Sequence, residues 1–315
     1  MTENNRIDVH THLVPSFWGE ALPAHGGDPS GWTTPPWSPD AHLSFMDANG
    51  IATSVLSLTA PSVVGWKGSE RREMARRVNE YTAGLVSDRP DRFGNFATVP
   101  LPDVDGAVAE IDYALGELGA DGVVLLSNYE GVYLGDDSYA PVWEALNRHR
   151  AVVFIHPGHP LLPVLPGVPG PVVDYPFDTT RNAVHMAYNN VPLRYPDTKI
   201  ILSHAGGFVP YAAMRFSLVR SLLNVAAGGP TPEEVLEQLR GFYFDTALSA
   251  GQATMAALTD FADPSRILFG SDFPYAPAAL GTRITEVLDA DSGLTAEQSA
   301  AINRTNSLPL FPRLG

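Results

Sequence analysis

The chain predicts an α/β fold, a TIM-like (β/α)8 barrel in one domain, and three observations lead there. Short β-rich runs alternate with helical patterns about eight times along 315 residues, the mark of βα units wound around a parallel sheet. No Gly/Ser or charge-rich linker divides the chain, and α/β barrels commonly reach this length as one unit. Histidines and an aspartate stand at the carboxyl ends of several of these runs, where every strand of a barrel meets the same mouth. The single domain is expected to span 1–315, with irregular insertions near 15–39 and 159–176.

In chain order, Ile7–His12 is a short apolar run that reads as strand one. The stretch Pro15–Pro39 follows, dense in Gly, Pro and Trp. Strand two is expected over Ile51–Leu58, and Glu70–Val86 then carries apolar residues at three-to-four spacing with a polar face opposite, as an outer helix requires. Strand three, Phe93–Thr98, precedes a helix over Val104–Leu118; strand four, Gly122–Leu126, precedes one over Ala140–Arg148. Strand five is Val152–His156. Behind it His159–Pro176 holds six prolines, and long irregular loops in compact domains are more often lids or pocket walls than plain connectors. Strand six is Lys199–His204, followed by helices over Pro210–Leu223 and Pro232–Leu239. Strand seven, Gly241–Asp245, a helix over Thr254–Phe261 and strand eight, Ile267–Ser271, complete the set. No internal repeat or low-complexity tract is evident.

Composition narrows the function. Hydrophobic residues are 44% and charged residues 17%, with 28 glycines and 28 prolines dispersed, which is the profile of a globular protein with a large core. Cysteine is absent. That excludes disulfides, thiolate ligands and a cysteine nucleophile, and leaves imidazole and carboxylate as metal donors. A formal charge of −15, with Lys67 and Lys199 the only lysines, opposes nucleic-acid binding, which needs clustered cations. No charged-then-apolar leader and no apolar run of membrane-spanning length occurs, so a cytoplasmic location without membrane association is expected. An anionic substrate would need local positive charge.

His10 and His12 constrain the chain most. Side chains two apart on an extended strand share a face, so one ion can take a nitrogen from each. His156 ends strand five, His204 ends strand six, and Asp272 follows strand eight. Each alone would be an ordinary strand-end or turn residue; their common placement at one end of a barrel is hard to obtain by chance. His25, His42, His149 and His185 lie in loops or helices and are given no metal role, His149 reading as a helix-end residue. His159 is a candidate substrate contact because it closely follows His156.

Seven segments in order carry a likeness. They are IDVHTHLVP from Ile7, FIHP from Phe154, YPFDTT from Tyr175, YPDTKIILSHAGGFVPY from Tyr195, FYFDTAL from Phe242, ILFGSDFPY from Ile267 and INRTNSLPLF from Ile302. In this order they resemble the amidohydrolase superfamily, specifically its branch of aminocarboxymuconate-semialdehyde decarboxylase and related metal-dependent decarboxylases. The resemblance implies that His10, His12, His156 and Asp272 are metal ligands and that His204 is a catalytic histidine beside the ion. One ion is expected, because two-metal relatives bridge their ions with a lysine at the end of strand four, and here that strand reads Gly122–Leu126 followed by Ser127 and Asn128. Zn2+ and Mn2+ both suit three imidazoles and a carboxylate.

The function implied is a non-oxidative decarboxylation, with proton transfer assigned to Asp272 and His204 as a unit. Arg215, eleven residues past His204, resembles an arginine that in these decarboxylases reaches a neighbouring subunit's site, so a homodimer or higher homo-oligomer is expected, with Arg181 a weaker candidate of the same kind. One departure bears on substrate. The muconate-semialdehyde enzyme carries an arginine just before its Trp-x-Pro segment, whereas no arginine lies between Arg6 and Arg71 here. A small aromatic monocarboxylate of the hydroxybenzoate type therefore fits better than a dicarboxylate. Trp37 and Tyr275, with Trp32 and Trp66, could supply apolar walls. The rival reading is a metal-dependent hydrolase of an ester, lactone or amide using metal-bound hydroxide; a hydratase and a metal-stabilised scaffold are further variants.

Overall fold

The computed structural model describes residues 5–222 and 229–315. Eight parallel strands form one sheet in chain order: β1 (Arg6–His12), β2 (Ile51–Ser57), β3 (Phe93–Thr98), β4 (Gly122–Leu126), β5 (Val152–His156), β6 (Lys199–Leu202), β7 (Tyr243–Asp245) and β8 (Ile267–Leu268). The sheet curls until its first and last strands meet. Val9 N donates to Phe269 O at 3.0 Å, and Ser271 N and Asp272 N donate to His10 O at 3.1 and 2.8 Å. This seam seats Asp272 beside His10.

The strands are buried almost throughout, as parallel strands covered on both faces must be. Ile7, Val9, Val55, Phe96, Val124, Phe154, Ile201 and Leu268 fill the barrel interior, and Leu310, Phe311 and Leu314 belong to the same cluster. A second, larger cluster, including Trp18, Met46, Trp143 and Phe244, packs the helices around the sheet. Register shifts in the pairing of β1 with β2 between Asp8 and Thr11 mark a bulge. It places Val9 in the interior cluster while His10 and His12 both still reach the mouth.

The six expected helices occur within two residues of their expected ends, as Ser69–Asp88, Val104–Gly116, Ala140–Arg148, Val209–Leu222, Pro232–Arg240 and Gln252–Phe261. Leu223, the expected end of one, lies outside the described residues. Two expectations change. Within Pro15–Pro39 a short helix forms over Ser16–Ala21, and of His159–Pro176 only the part before Gly170 is irregular. The helix Gly170–Tyr188 begins there, with Pro171 in its first turn and Pro176 inside it. Proline suits a first turn, where an N–H has no partner in any case. The carbonyl of Val172, four residues before Pro176, sits on an exposed residue, where water can satisfy it. Among the described residues, no helix is long and apolar enough to cross a membrane.

Candidate metal centre and active site

Side chains from both seam strands and from the ends of β5, β6 and β7 converge on one point. His10 Nδ1 donates to Asp245 Oδ2 at 2.8 Å, which leaves Nε2 as the lone-pair nitrogen. That Nε2 is buried with no hydrogen-bond partner, and it lies 3.3 Å from Asp272 Oδ1. His12 is fixed the same way: Ser57 gives its hydroxyl proton to Thr11 O at 3.0 Å, so its oxygen accepts from His12 Nδ1 at 3.0 Å. His12 Nε2 then faces Asp272 Oδ1 at 3.0 Å. His156 Nδ1 donates to Pro157 O at 2.9 Å, again freeing Nε2, with the Thr59 hydroxyl 3.1 Å away.

One donor atom from each of His10, His12, His156 and Asp272 lies within 4.8 Å of the others, and all four residues are buried. Burial favours the neutral form of His12 and His156 and lowers both, His156 well below the ordinary imidazole value, with His12 and His10 adding to the effect. Burial opposes charge at Asp272 too, yet the surrounding imidazoles of His10, His12 and His204 outweigh it and hold its carboxyl well below the usual range. At His10 burial pushes down, but Asp245 and Asp272 outweigh it and lift the imidazole to about 10. Three imidazoles with Nε2 turned inward, one carboxylate and an orphaned buried nitrogen fit a single divalent cation.

His204 stands beside this centre. Its Nε2 is 3.6 Å from Asp272 Oδ2, and its ring centroid is 4.7 Å from that of His10. β6 ends before it because His204 and Ala205 take left-handed backbone, φ 54° and 55°, a conformation that costs non-glycine residues energy and recurs at functional sites. Asp245 Oδ1 holds the turn by accepting from His204 N at 3.0 Å. Gly207 continues it at φ 63°, where a Cβ would lie 2.1 Å from Pro176 O. Asp272 is also left-handed, at φ 61°.

Asp245 supports this centre as well, and the strand-end residues named from the sequence do not include it. Its carboxylate orients a ligand and a catalytic candidate together, and an acidic residue ending strand seven at the same rim was signal enough to include it. Changing Asp245→Asn is expected to weaken metal binding about 10–100-fold, as loss of such supporting carboxylates generally does; competition with a chelating dye measures it. Asp8 was missed too: it accepts from Ser271 Oγ at 2.6 Å and His10 N at 3.1 Å, pinning the seam. Asp178, in the Tyr175–Thr180 segment, accepts from Ser127, from Asn128 at 2.8 Å and from Tyr133 at 2.6 Å. It ties the segment behind β4 to the helix Gly170–Tyr188.

A cavity of about 570 Å³ opens over the centre, walled by Trp32, Tyr175, Phe208 and Tyr275, with His156, His204 and Asp272 in its lining. Among the described residues lining it there is no arginine or lysine. The expected substrate contacts divide accordingly. Tyr275 lines the cavity, whereas His159 borders a smaller adjoining one of about 80 Å³. Trp37 lines neither; its Nε1 donates to His42 Nδ1 at 2.9 Å, and His42 reaches Thr11 at 3.3 Å, so Trp37 anchors a loop to β1. Trp66 is buried against His25, ring centroids 4.4 Å apart. Arg215 is exposed on the helix Val209–Leu222, outside the cavity of its own chain, and Arg181 lies over the rings of Tyr133 and Phe177.

The sequence matches the family described as Amidohydrolase over residues 7–313. The chain belongs to the amidohydrolase family. This amidohydrolase is 42% identical to the decarboxylase yanB of Aspergillus niger, over 98% of the chain and 88% of the relative. It is 41% identical to the 6-methylsalicylic acid decarboxylase of Penicillium expansum, over 98% and 97% of the two chains. Among solved structures it resembles a dihydroxybenzoic acid decarboxylase of Polaromonas sp., determined with manganese and the inhibitor 2-nitroresorcinol. There the TM-score is 0.79 and the identity 25%, covering 98% of this amidohydrolase and 97% of that chain.

Proposed function

We propose that this chain is a metal-dependent carboxy-lyase that removes carbon dioxide, without oxidation, from a hydroxybenzoate-type acid, using one Zn2+ or Mn2+ ion per subunit. The observation that carries this reading is the cavity itself: an aromatic slot closed at one end by a cation-seeking cluster and holding no arginine or lysine for a second carboxylate. The decarboxylases it resembles, one of them acting on 6-methylsalicylic acid, support the same chemistry.

When bound, the cation supplies the positive charge that orients the carboxylate and neighbouring phenolic oxygen and stabilises charge developing at the reacting centre. The protein does the rest. Trp32, Tyr175, Phe208 and Tyr275 grip the ring and exclude water. Asp272 and His204, both reaching the cavity and 3.6 Å apart, take up a proton from water and pass it to the ring carbon that bears the carboxylate. The new C–H bond forms there, the C–C electrons return to the ring, and carbon dioxide leaves. Asp245 keeps His10 and the His204 turn in place throughout.

Incubating the protein with a chelator should abolish carbon dioxide release from salicylate or 6-methylsalicylate, and adding back Mn2+ or Zn2+ should restore it. Full activity in the chelated protein, or acid release from a lactone with no carbon dioxide from either acid, would overturn the assignment.

The functional unit is proposed to be a homodimer. Val172, Val173 and Phe177 on the helix Gly170–Tyr188, with Tyr211 and Met214 on the helix Val209–Leu222, leave large apolar side chains exposed. Patches of this kind mark association surfaces, and Arg215 lies on the second of these helices. Light scattering is expected to give twice the chain mass; a monomer at micromolar concentration counts against it.

A further inference from the structure

One carboxylate in the cavity wall has no part in the chemistry above. Asp28, in the segment between β1 and β2, lines the main cavity together with Ser30, Trp32, Tyr175 and Tyr275, and also lines the smaller cavity that His159 borders. It is outside the metal-binding group. Its direction is fixed, since Oδ1 accepts from Ser30 N at 2.8 Å in a tight local turn. Tyr175 and Tyr275 stand in the same cavity wall as Asp28 and Asp272. Asp28 thus brings into the ring-binding space a carboxylate that the metal end does not use; burial raises its carboxyl, and mildly alkaline pH keeps it ionised. Among the described residues no arginine or lysine lines either cavity; the basic side chains there are His156 and His204 at the metal end and His159 in the smaller cavity.

We propose that Asp28 is a specificity-determining residue that sets the charge of acceptable substrates: rings with one carboxylate and neutral substituents enter, and rings with a second acidic group are turned away. This rests on the carboxy-lyase reading and deepens it. A dicarboxylate that docks one carboxylate at the metal centre carries its second into a wall with a like charge and no counterion, and like charge in a water-poor pocket is a strong discriminator. A hydroxyl or methyl substituent meets no such repulsion, and a hydroxyl can donate to Asp28.

The test compares salicylate with hydroxyisophthalate, which adds a second carboxylate to the same ring, at mildly alkaline pH. Both kcat/KM and calorimetric Kd are measured for the metal-loaded wild type, Asp28→Asn and Asp28→Glu. Asparagine keeps the acceptor that Ser30 N needs and removes the charge; glutamate keeps the charge. Asp28→Asn is expected to raise the dicarboxylate-to-monocarboxylate ratio by about tenfold or more, while Asp28→Glu holds the wild-type ratio. An unchanged ratio in Asp28→Asn, or an equal change in Asp28→Glu, overturns the proposal. The binding arm separates the two readings: if the Kd ratio responds as stated but neither acid releases carbon dioxide, the carboxy-lyase assignment fails and the selector stands.

Discussion

Asp272→Asn is expected to lower carbon dioxide release by about 10²–10⁴-fold, the range lost when a positioned proton carrier is removed. The substitution is a clean one. Asp272 occupies left-handed backbone at φ 61°, a region that asparagine tolerates better than any other non-glycine side chain, so the seam hydrogen bond from Asp272 N to His10 O at 2.8 Å is retained. What changes is charge and protonation. The amide cannot take up or release a proton, and its NH2 competes for the lone pairs that His12 and His10 turn toward Oδ1. Metal content by elemental analysis separates the two losses. A variant that loads metal yet stays inactive has lost proton transfer; one that no longer loads has lost a ligand. Activity within about threefold of wild type would exclude Asp272 from either role.

Phe154→Ala is expected to cost about 3–5 kcal/mol of stability, the usual result of deleting a fully buried aromatic side chain. Phe154 has no exposure and stands in the barrel interior below the metal centre. Its ring packs on Phe96 at 5.5 Å and edge-on to His10 at 4.9 Å. The cavity left behind would remove the floor on which His10 rests, so weaker metal binding should accompany the lower urea midpoint. Unfolding of metal-free protein isolates the packing loss, because bound ligand would otherwise add its own stabilisation. A loss under about 1 kcal/mol would mean that the interior collapses around the missing ring.

Much of the architecture was legible in the sequence, and the reason lies in the barrel. Runs such as Val152–His156 are buried on both faces, so their sequences are continuously apolar and end abruptly at a polar residue, which announces both the strand and the site. His10, His12, His156, His204 and Asp272 follow from that punctuation, whereas the choice of four of them as metal ligands comes from the family resemblance. Less legible were the segments where proline carried two meanings: around Gly170, Pro171 and Pro176 read as chain breakers but belong to a helix. β8 is shorter than its apolar run because Phe269–Asp272 turns to bond with β1, a tertiary demand that local composition does not encode. Trp37 was assigned to a pocket wall on residue type alone; its indole instead meets His42. Asp28 left no local signal, since only the folded loop brings it to the same cavity as Asp272.

The closing seam has a consequence for how the protein matures. His12 and Asp272 meet across 260 residues of chain, so the last ligand emerges from the ribosome long after the first. A nascent chain that already displays His10, His12 and His156 still lacks the carboxylate, and the strand that would hold it. Ion capture thus waits until the last strand of the barrel has been made, and holding the metal certifies that β1 and β8 have found each other.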